Sequence, residues 1–258
     1  MSTSASKPFT FKEFSIHQDR CAMKIGTDGV LLGAWASLDH YPDSILDVGT
    51  GTGVIALMLA QRSNAQTIDA VELDDNAFEQ AAENFENSPW GDRLFCYHAH
   101  LYEFAVEIED TYDLIICNPP FFEKNLSAAT VSDVQSRSVA DGAAQNAREN
   151  ARFEDAMPFE LLVGAVAKLL SPEGQFSVVI PYYREEDFKL LCSRADLFPT
   201  RITRVKGTPT SEVKRSLMEF RFRESETTPK VSELTIENSR HNYTSEYISL
   251  VKDFYLKM

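Results

Sequence analysis

The sequence predicts an α/β fold: a mostly parallel sheet with helices on both faces. Three observations point there. From about residue 44, short apolar runs alternate with amphipathic segments of helical length, the pattern of parallel strands joined by crossover helices. The first of those runs ends in a glycine-rich turn that opens a helix. After Pro172 the texture changes and RSLMEFRFR reads as an alternating strand, so the parallel part of the sheet belongs to the first half of the chain.

Taken in order, DGVLLGAWA is a short helix entered through the turn-prone Gly26-Thr27-Asp28. SILDV is a strand and VIALMLAQRS a helix; QTIDAVEL is a strand and DNAFEQAAENFEN a helix; RLFCYH and YDLIIC are two further strands. FEDAMPFELLVGAVAKLL follows as a helix, then GQFSVVIPY as a strand, EEDFKLLCSRA as a helix, and TRITRVKG and RSLMEFRFR as strands. SELTIE adds one more strand and YTSEYISLVKDFYL a terminal helix.

A chain of 258 residues with 43% hydrophobic content buries a sizeable core, and no Pro, Ser or Gly-rich linker divides it, so residues 1–258 are expected to form a single domain. The start, MSTSASKPFTFKEF, lacks a basic stretch followed by an apolar one, and no apolar run is long enough to span a bilayer. A soluble, cytoplasmic protein with no membrane partner is the expectation. Cys21, Cys96, Cys117 and Cys192 are widely spaced, with no CxxC pair and no His cluster, so no metal is expected. Residues 123–150 are poor in large apolar side chains; a loop of that length is read either as a mobile lid beside a site or as plain disorder.

The net charge of −14 excludes a protein that coats nucleic acid nonspecifically, because neutralising phosphates takes clustered Lys and Arg. A local basic face is not excluded. Arg201, Arg204, Lys206, Lys214, Arg215, Arg221 and Arg223 gather in the last third, and they read equally well as ordinary charges on a solvated strand surface.

LDVGTGTGVIAL, residues 46–57, joins a strand to a helix. Gly49, Gly51 and Gly53 let the backbone turn sharply and approach a ligand, and the helix start offers unpaired amides. The spacing is GxGxG preceded by Asp47, and the next strand ends in an acid, Glu72, able to accept ribose hydroxyls of a bound nucleoside. A nicotinamide-binding loop and a plain glycine turn, with Glu72 capping the next helix, are the other readings.

YDLIIC runs straight into Asn118-Pro119-Pro120-Phe121-Phe122. The amino nitrogen of a base is a poor nucleophile because its lone pair is delocalised into the ring. Two acceptors, the Asn118 side-chain oxygen and the Pro119 carbonyl, can hold the amino hydrogens and localise that lone pair, while Phe121 stacks on the base. The prolines restrict the backbone, so the acceptors need little ordering. Phe122 reads as core. A strand-ending turn with two tucked aromatics is the bland alternative, and a planar glutamine amide would suit the same acceptors.

The glycine loop, Glu72 and NPPFF together resemble the class I S-adenosylmethionine-dependent methyltransferases, Rossmann-like proteins with a seven-stranded sheet whose last strand is antiparallel. The resemblance implies S-adenosyl-L-methionine as cofactor, held by Asp47, Gly49, Gly51, Gly53 and Glu72, with the adenine contact at Ala99 and His100, where the family more often has Asp. FKEFSIHQDRCAMKIGTDGVLLGAWA, residues 11–36, with SPWGDRL, YDLIICNPPFF and EYISLVKDFYLKM, is similar to the bacterial tRNA adenine-37 N6-methyltransferases that modify valine tRNA. That similarity implies methylation of N6 of adenine 37, turned out of the anticodon loop of a tRNA partner into a pocket formed by Asn118, Pro119 and Phe121. It also implies that residues 1–40 cover cofactor and substrate, with Lys24 and Thr27 toward the cofactor and Asp28 toward the substrate. Lys214 and Arg215, near the last strands, are read separately as tRNA phosphate contacts. Asp28 as a helix cap and Lys24 as ordinary surface are the alternatives. A protein glutamine N5-methyltransferase, or another RNA or DNA adenine N6-methyltransferase, is the rival activity.

Overall fold

The computed structural model describes residues 7–120, 157–222 and 228–258. Its centre is one eight-stranded sheet. Four strands supply the parallel half, three of them buried runs, β3 (Ser44–Val48), β4 (Thr67–Glu72) and β6 (Tyr112–Cys117), and the fourth the half-exposed edge strand β5 (Leu94–His98). Before them lie a short hairpin, β1 (Phe9–Thr10) with β2 (Ser15–Ile16), and helix α1 (Thr27–Trp35). Between the strands run α2 (Val54–Arg62), α3 (Asp75–Glu86) and α4 (Leu101–Glu107). The second half contributes α5 (Phe159–Leu169), β7 (Leu170–Pro181), α6 (Glu185–Ser193), β8 (Phe198–Lys206), β9 (Val213–Arg221) and β10 (Lys230–Thr235). A small hairpin, β11 (Glu237–Ser239) with β12 (Asn242–Tyr243), leads to α7 (Ser245–Val251).

The sheet order is β10-β8-β9-β7-β6-β3-β4-β5. β9 inserts between β7 and β8 and runs antiparallel to both, as expected of RSLMEFRFR. The difference from the seven-stranded expectation is β10, which pairs parallel with the outer edge of β8, Val231 opposite Ile202. SELTIE is thus a strand of the main sheet and not an appendage. The terminal helix is shorter than its apolar pattern suggests, ending at Val251, and the helix expected over 153–170 is described only from Phe159.

Side chains alternate along each strand, so the sheet feeds two cores. Ile45, Ile68, Leu114 and Ile116 pack with α1, α2, α7 and Phe85 of α3; Leu46, Val48, Ile115 and Phe176 pack with α4, α5 and α6. Strand order reverses between β3 and β6, both of which point their carboxyl ends the same way. In open α/β sheets, such a switch point leaves a crevice outside the carboxyl ends, and that is where the Gly49 loop and Asn118 emerge together.

Candidate active site

The turn after β3 is built on three glycines with positive φ: Gly49 at 67°, Gly51 at 57° and Gly53 at 82°. Their reasons differ. A Cβ on Gly51 would meet nothing within 4 Å, because Gly51 faces a cavity. A Cβ on Gly53 would lie 2.6 Å from the Phe85 ring, so that glycine permits α2 to start against α3.

Asp47 braces the turn from beneath. Fully buried, it accepts hydrogen bonds from Thr50 Oγ1 (2.6 Å) and the Ala56 amide (3.2 Å), tying the loop to the first turn of α2. Its other oxygen has no partner among the described residues. Burial pushes the carboxyl up to about 7, against the lowering effect of the two hydrogen bonds.

Glu72, at the end of β4, accepts from the amides of Gly51 (2.8 Å), Leu73 (2.8 Å) and Asp74 (2.9 Å). Three N–H donors fix the carboxylate across the mouth of the glycine turn and leave it about one acceptor position. Asp74 in turn caps α3, accepting from the Ala77 amide at 2.9 Å. After β5, the Ala99 amide donates to the Glu72 carbonyl (3.1 Å), and His100 caps α4 by accepting from the Tyr102 amide (3.2 Å).

These pieces surround a cavity of about 630 Å³. Gly49, Gly51 and Glu72 form one wall, Ala99 and His100 a second, and Asn118 with Pro120 a third. The fourth wall is Cys21-Ala22-Met23, from the irregular, bent segment before α1. Two buried amides of α3, one helical turn apart, dock that segment. Asn84 accepts from the His17 amide and donates to both the His17 and Thr52 carbonyls, each at 2.9 Å. Gln80 accepts from the Arg20 amide (2.8 Å) and donates to Asp19 (3.0 Å). Arg20 adds ion pairs to Glu79 and Glu83.

Comparison with known proteins follows the same lines. Residues 30–151 match the methyltransferase small domain family. A tRNA1(Val) (adenine(37)-N6)-methyltransferase of Christiangramia forsetii is 55% identical over 256 residues, 98% of this chain and 100% of the relative. That of Flavobacterium psychrophilum is 56% identical over 250 residues, 97% of this chain and 100% of the relative. This chain belongs to that methyltransferase family. Among solved structures, a protein described as a predicted O-methyltransferase of Agrobacterium tumefaciens superposes with a TM-score of 0.63 at 16% identity. It covers 88% of this chain and 96% of its own, a likeness of fold.

Within the family's fold, the sequence-predicted residues fall into four groups. Gly49, Gly51, Glu72, Ala99, His100 and Asn118 line one cavity. Asp47, Gly53 and Pro119 are buried behind it. Lys24 and Thr27 are not among its lining residues: the cavity wall is formed four to six residues earlier than Thr27, and Thr27 opens α1. Phe121, Phe122 and the segment 123–150 lie outside the described residues.

The substrate-side residues also separate. Asp28 forms an ion pair with Arg215 (2.9 Å), and a Cβ on the neighbouring Gly29 would lie 3.8 Å from Asn118 Nδ2, so α1 begins beside the NPP turn. Lys214 is exposed. The other basic residues of the last third are mostly engaged: Arg201 with buried Glu219, Arg204 with buried Glu185, Lys206 with Glu233. Paired charges on strands are the reading the structure favours over a single basic face. Cys21 is read from sequence only as one of four widely spaced thiols, and Gln80 and Asn84 are passed over because two amides in an acidic amphipathic helix look solvated. No group of His, Cys, Asp and Glu able to hold a metal occurs among the described residues, and no described helix is long and apolar enough to cross a membrane.

Proposed function

We propose that this protein transfers a methyl group from S-adenosyl-L-methionine to N6 of adenine 37 in the anticodon loop of a tRNA, valine tRNA by the names of its relatives. One observation carries the reading: Asn118 lines the same cavity as Gly49, Gly51 and Glu72, so an acceptor for an amino group faces a nucleoside-shaped cradle.

The residues fit the cofactor. A cavity of about 630 Å³ falls within the usual range for small-molecule sites, roughly 300–1,000 Å³. The open face of Gly51 admits close approach, Glu72 retains an acceptor position for a ribose hydroxyl, and the second oxygen of Asp47, without a partner among the described residues, keeps polarity behind the turn. With the Ala99 amide engaged by Glu72, an adenine contact at this bend falls to His100. When bound, S-adenosylmethionine supplies an electrophilic methyl group.

The chain's own residues prepare the nucleophile. The Asn118 side-chain oxygen and the Pro119 carbonyl accept the two amino hydrogens of the target adenine, favouring a pyramidal nitrogen with its lone pair directed into the cavity. Once methylated, the nitrogen is cationic and releases its proton readily, so no general base is required. Anticodon-loop bases unstack at small cost, which suits an acidic protein that reaches its RNA in the cytoplasm without a duplex grip.

Incubation with methyl-labelled cofactor, unmodified total tRNA and cell protein, followed by digestion of each fraction, tests the proposal. Label in N6-methyladenosine, mapped to position 37, is expected. Label in protein glutamine, and none in RNA, would overturn it.

A further inference from the structure

The turn that ends β7 carries a feature the methyl-transfer site does not use. Tyr182, Tyr183 and Arg184 form one turn of 3₁₀ helix directly after Pro181, and both tyrosine rings reach solvent, Tyr183 being 64% exposed. The turn stands on a rigid base. Buried Glu185 holds Arg204 through two hydrogen bonds (2.7 and 3.2 Å) and also accepts from Ser216; the Arg204 guanidinium lies 5.3 Å from the Tyr182 ring centroid. Arg184 is turned aside over Phe159, 4.9 Å from its centroid.

Contacts connect this turn to the NPP turn. β7 is the immediate neighbour of β6, with Cys117 opposite Val178, so Tyr182 stands about three residues, roughly 10 Å, beyond the level of Asn118 at about 3.3 Å per residue. Pro181 is opposite Arg215, Arg215 is paired with Asp28, and Gly29 abuts Asn118. The cations along this path and around it are mostly paired: Arg215 with Asp28, Arg204 with Glu185, Lys206 with Glu233, and Arg184 with Asp187 at 3.9 Å. The exposed carboxylate of Glu186 is paired with Lys189. Among the described residues here, the exposed Lys214 has no acidic partner and can meet a phosphate.

From this we infer that Tyr182 and Tyr183 are a stacking platform for unpaired RNA nucleotides flanking the methylated adenine. The inference rests on the RNA reading of the site. Self-paired charge with two exposed rings on a fixed turn recognises bases by their faces, and that is sequence-tolerant because every base has one. A duplex offers no unstacked base to such rings, whereas a loop that has turned one base out leaves its neighbours in search of stacking partners.

The test is direct binding of a fluorescently labelled, unmodified anticodon stem-loop to the full-length protein in the presence of S-adenosylhomocysteine, with methyl transfer to tRNA assayed in parallel. Tyr183→Ala is expected to weaken stem-loop binding about tenfold, about 1.4 kcal/mol, and Tyr183→Phe to restore it. Affinity for S-adenosylhomocysteine should stay within twofold in both variants. Unchanged stem-loop binding in Tyr183→Ala and in Tyr182→Ala would overturn the platform, whether or not tRNA is methylated. Tyrosine-dependent binding without N6 methylation would support the platform and overturn the proposed reaction. A wild-type protein that neither binds the stem-loop nor methylates tRNA would overturn both.

Discussion

Asn84 on α3 binds both backbone groups of His17, accepting from its amide and donating to its carbonyl at 2.9 Å, as a neighbouring strand would. The same side chain donates to the Thr52 carbonyl in the glycine loop. One buried amide therefore couples two walls of the cavity: the loop after β3 and the segment that ends in Cys21-Ala22-Met23. Neither wall needs the other to exist, but the cavity needs both.

Asn84→Ala should therefore loosen the segment and weaken cofactor binding together. One buried backbone group, the Thr52 carbonyl, and two half-buried ones on His17 lose a partner, a destabilisation of about 2–4 kcal/mol at the usual 1–3 per unsatisfied group, since water reaches the His17 groups. The dissociation constant for S-adenosylhomocysteine is expected to rise about tenfold, about 1.4 kcal/mol. Calorimetric titration and amide exchange over residues 17–23 measure the two effects. A lower Tm with unchanged affinity would mean that the amide only holds the fold.

What was legible in the sequence was local. The strand-turn-helix containing Asp47 and the three glycines, the acid ending β4, and the NPP turn ending β6 each lie within a dozen residues, and periodicity assigns their elements. Asn84 was not legible, since its partners are 67 and 32 residues away. The same limit blurred the basic residues of the last third. Because β9 runs against β7 and β8, Arg201 sits opposite Glu219 while Arg204 reaches Glu185 on α6, and proximity in sequence did not become one patch. SELTIE was legible as a strand, but its parallel pairing with β8 depends on a connection that has no local signature.

The glycines should separate by experiment. At Gly53, a methyl group meets both a φ of 82° and the Phe85 ring at 2.6 Å. Gly53→Ala is expected to destabilise the protein by about 2–5 kcal/mol, about 1–2 from the left-handed backbone and about 1–3 from overpacking. Gly51→Ala meets open space, so it should lose only the first of these while projecting a methyl into the cavity. Thermal melts alongside cofactor titration distinguish them: stability falls further in the first, and affinity falls without a comparable Tm change in the second.

Asn118→Ala should act on rate. Removing a preorganised polar group that contacts the reacting atoms typically lowers turnover about 10²- to 10³-fold. Single-turnover methyl transfer is expected to slow by that amount, while S-adenosylhomocysteine binds within twofold of wild type, because the lost contact is to the substrate's amino group. A large loss of cofactor affinity would contradict the role given to this side chain.

Asp47 makes stability depend on pH with a definite sign. Its carboxyl, ordinarily near 3.8, is held up to about 7 by burial, so the folded state keeps a proton that the unfolded chain has already released. Between those values the folded state binds more protons than the unfolded one, and stability falls as pH rises, levelling off above about 7. The full span corresponds to at most about 4 kcal/mol at 1.36 kcal/mol per pKa unit. Asp47→Asn removes the titration while keeping an oxygen for Thr50 and the Ala56 amide. Relative to wild type, the variant should therefore gain stability between pH 5 and pH 7, by about 2–4 °C in Tm per kcal/mol for a chain of this size. Parallel melts of the cofactor-free proteins across that range measure it. A constant Tm difference would mean that Asp47 is ionised throughout, with water or a rearranged loop supplying the partner its second oxygen lacks among the described residues.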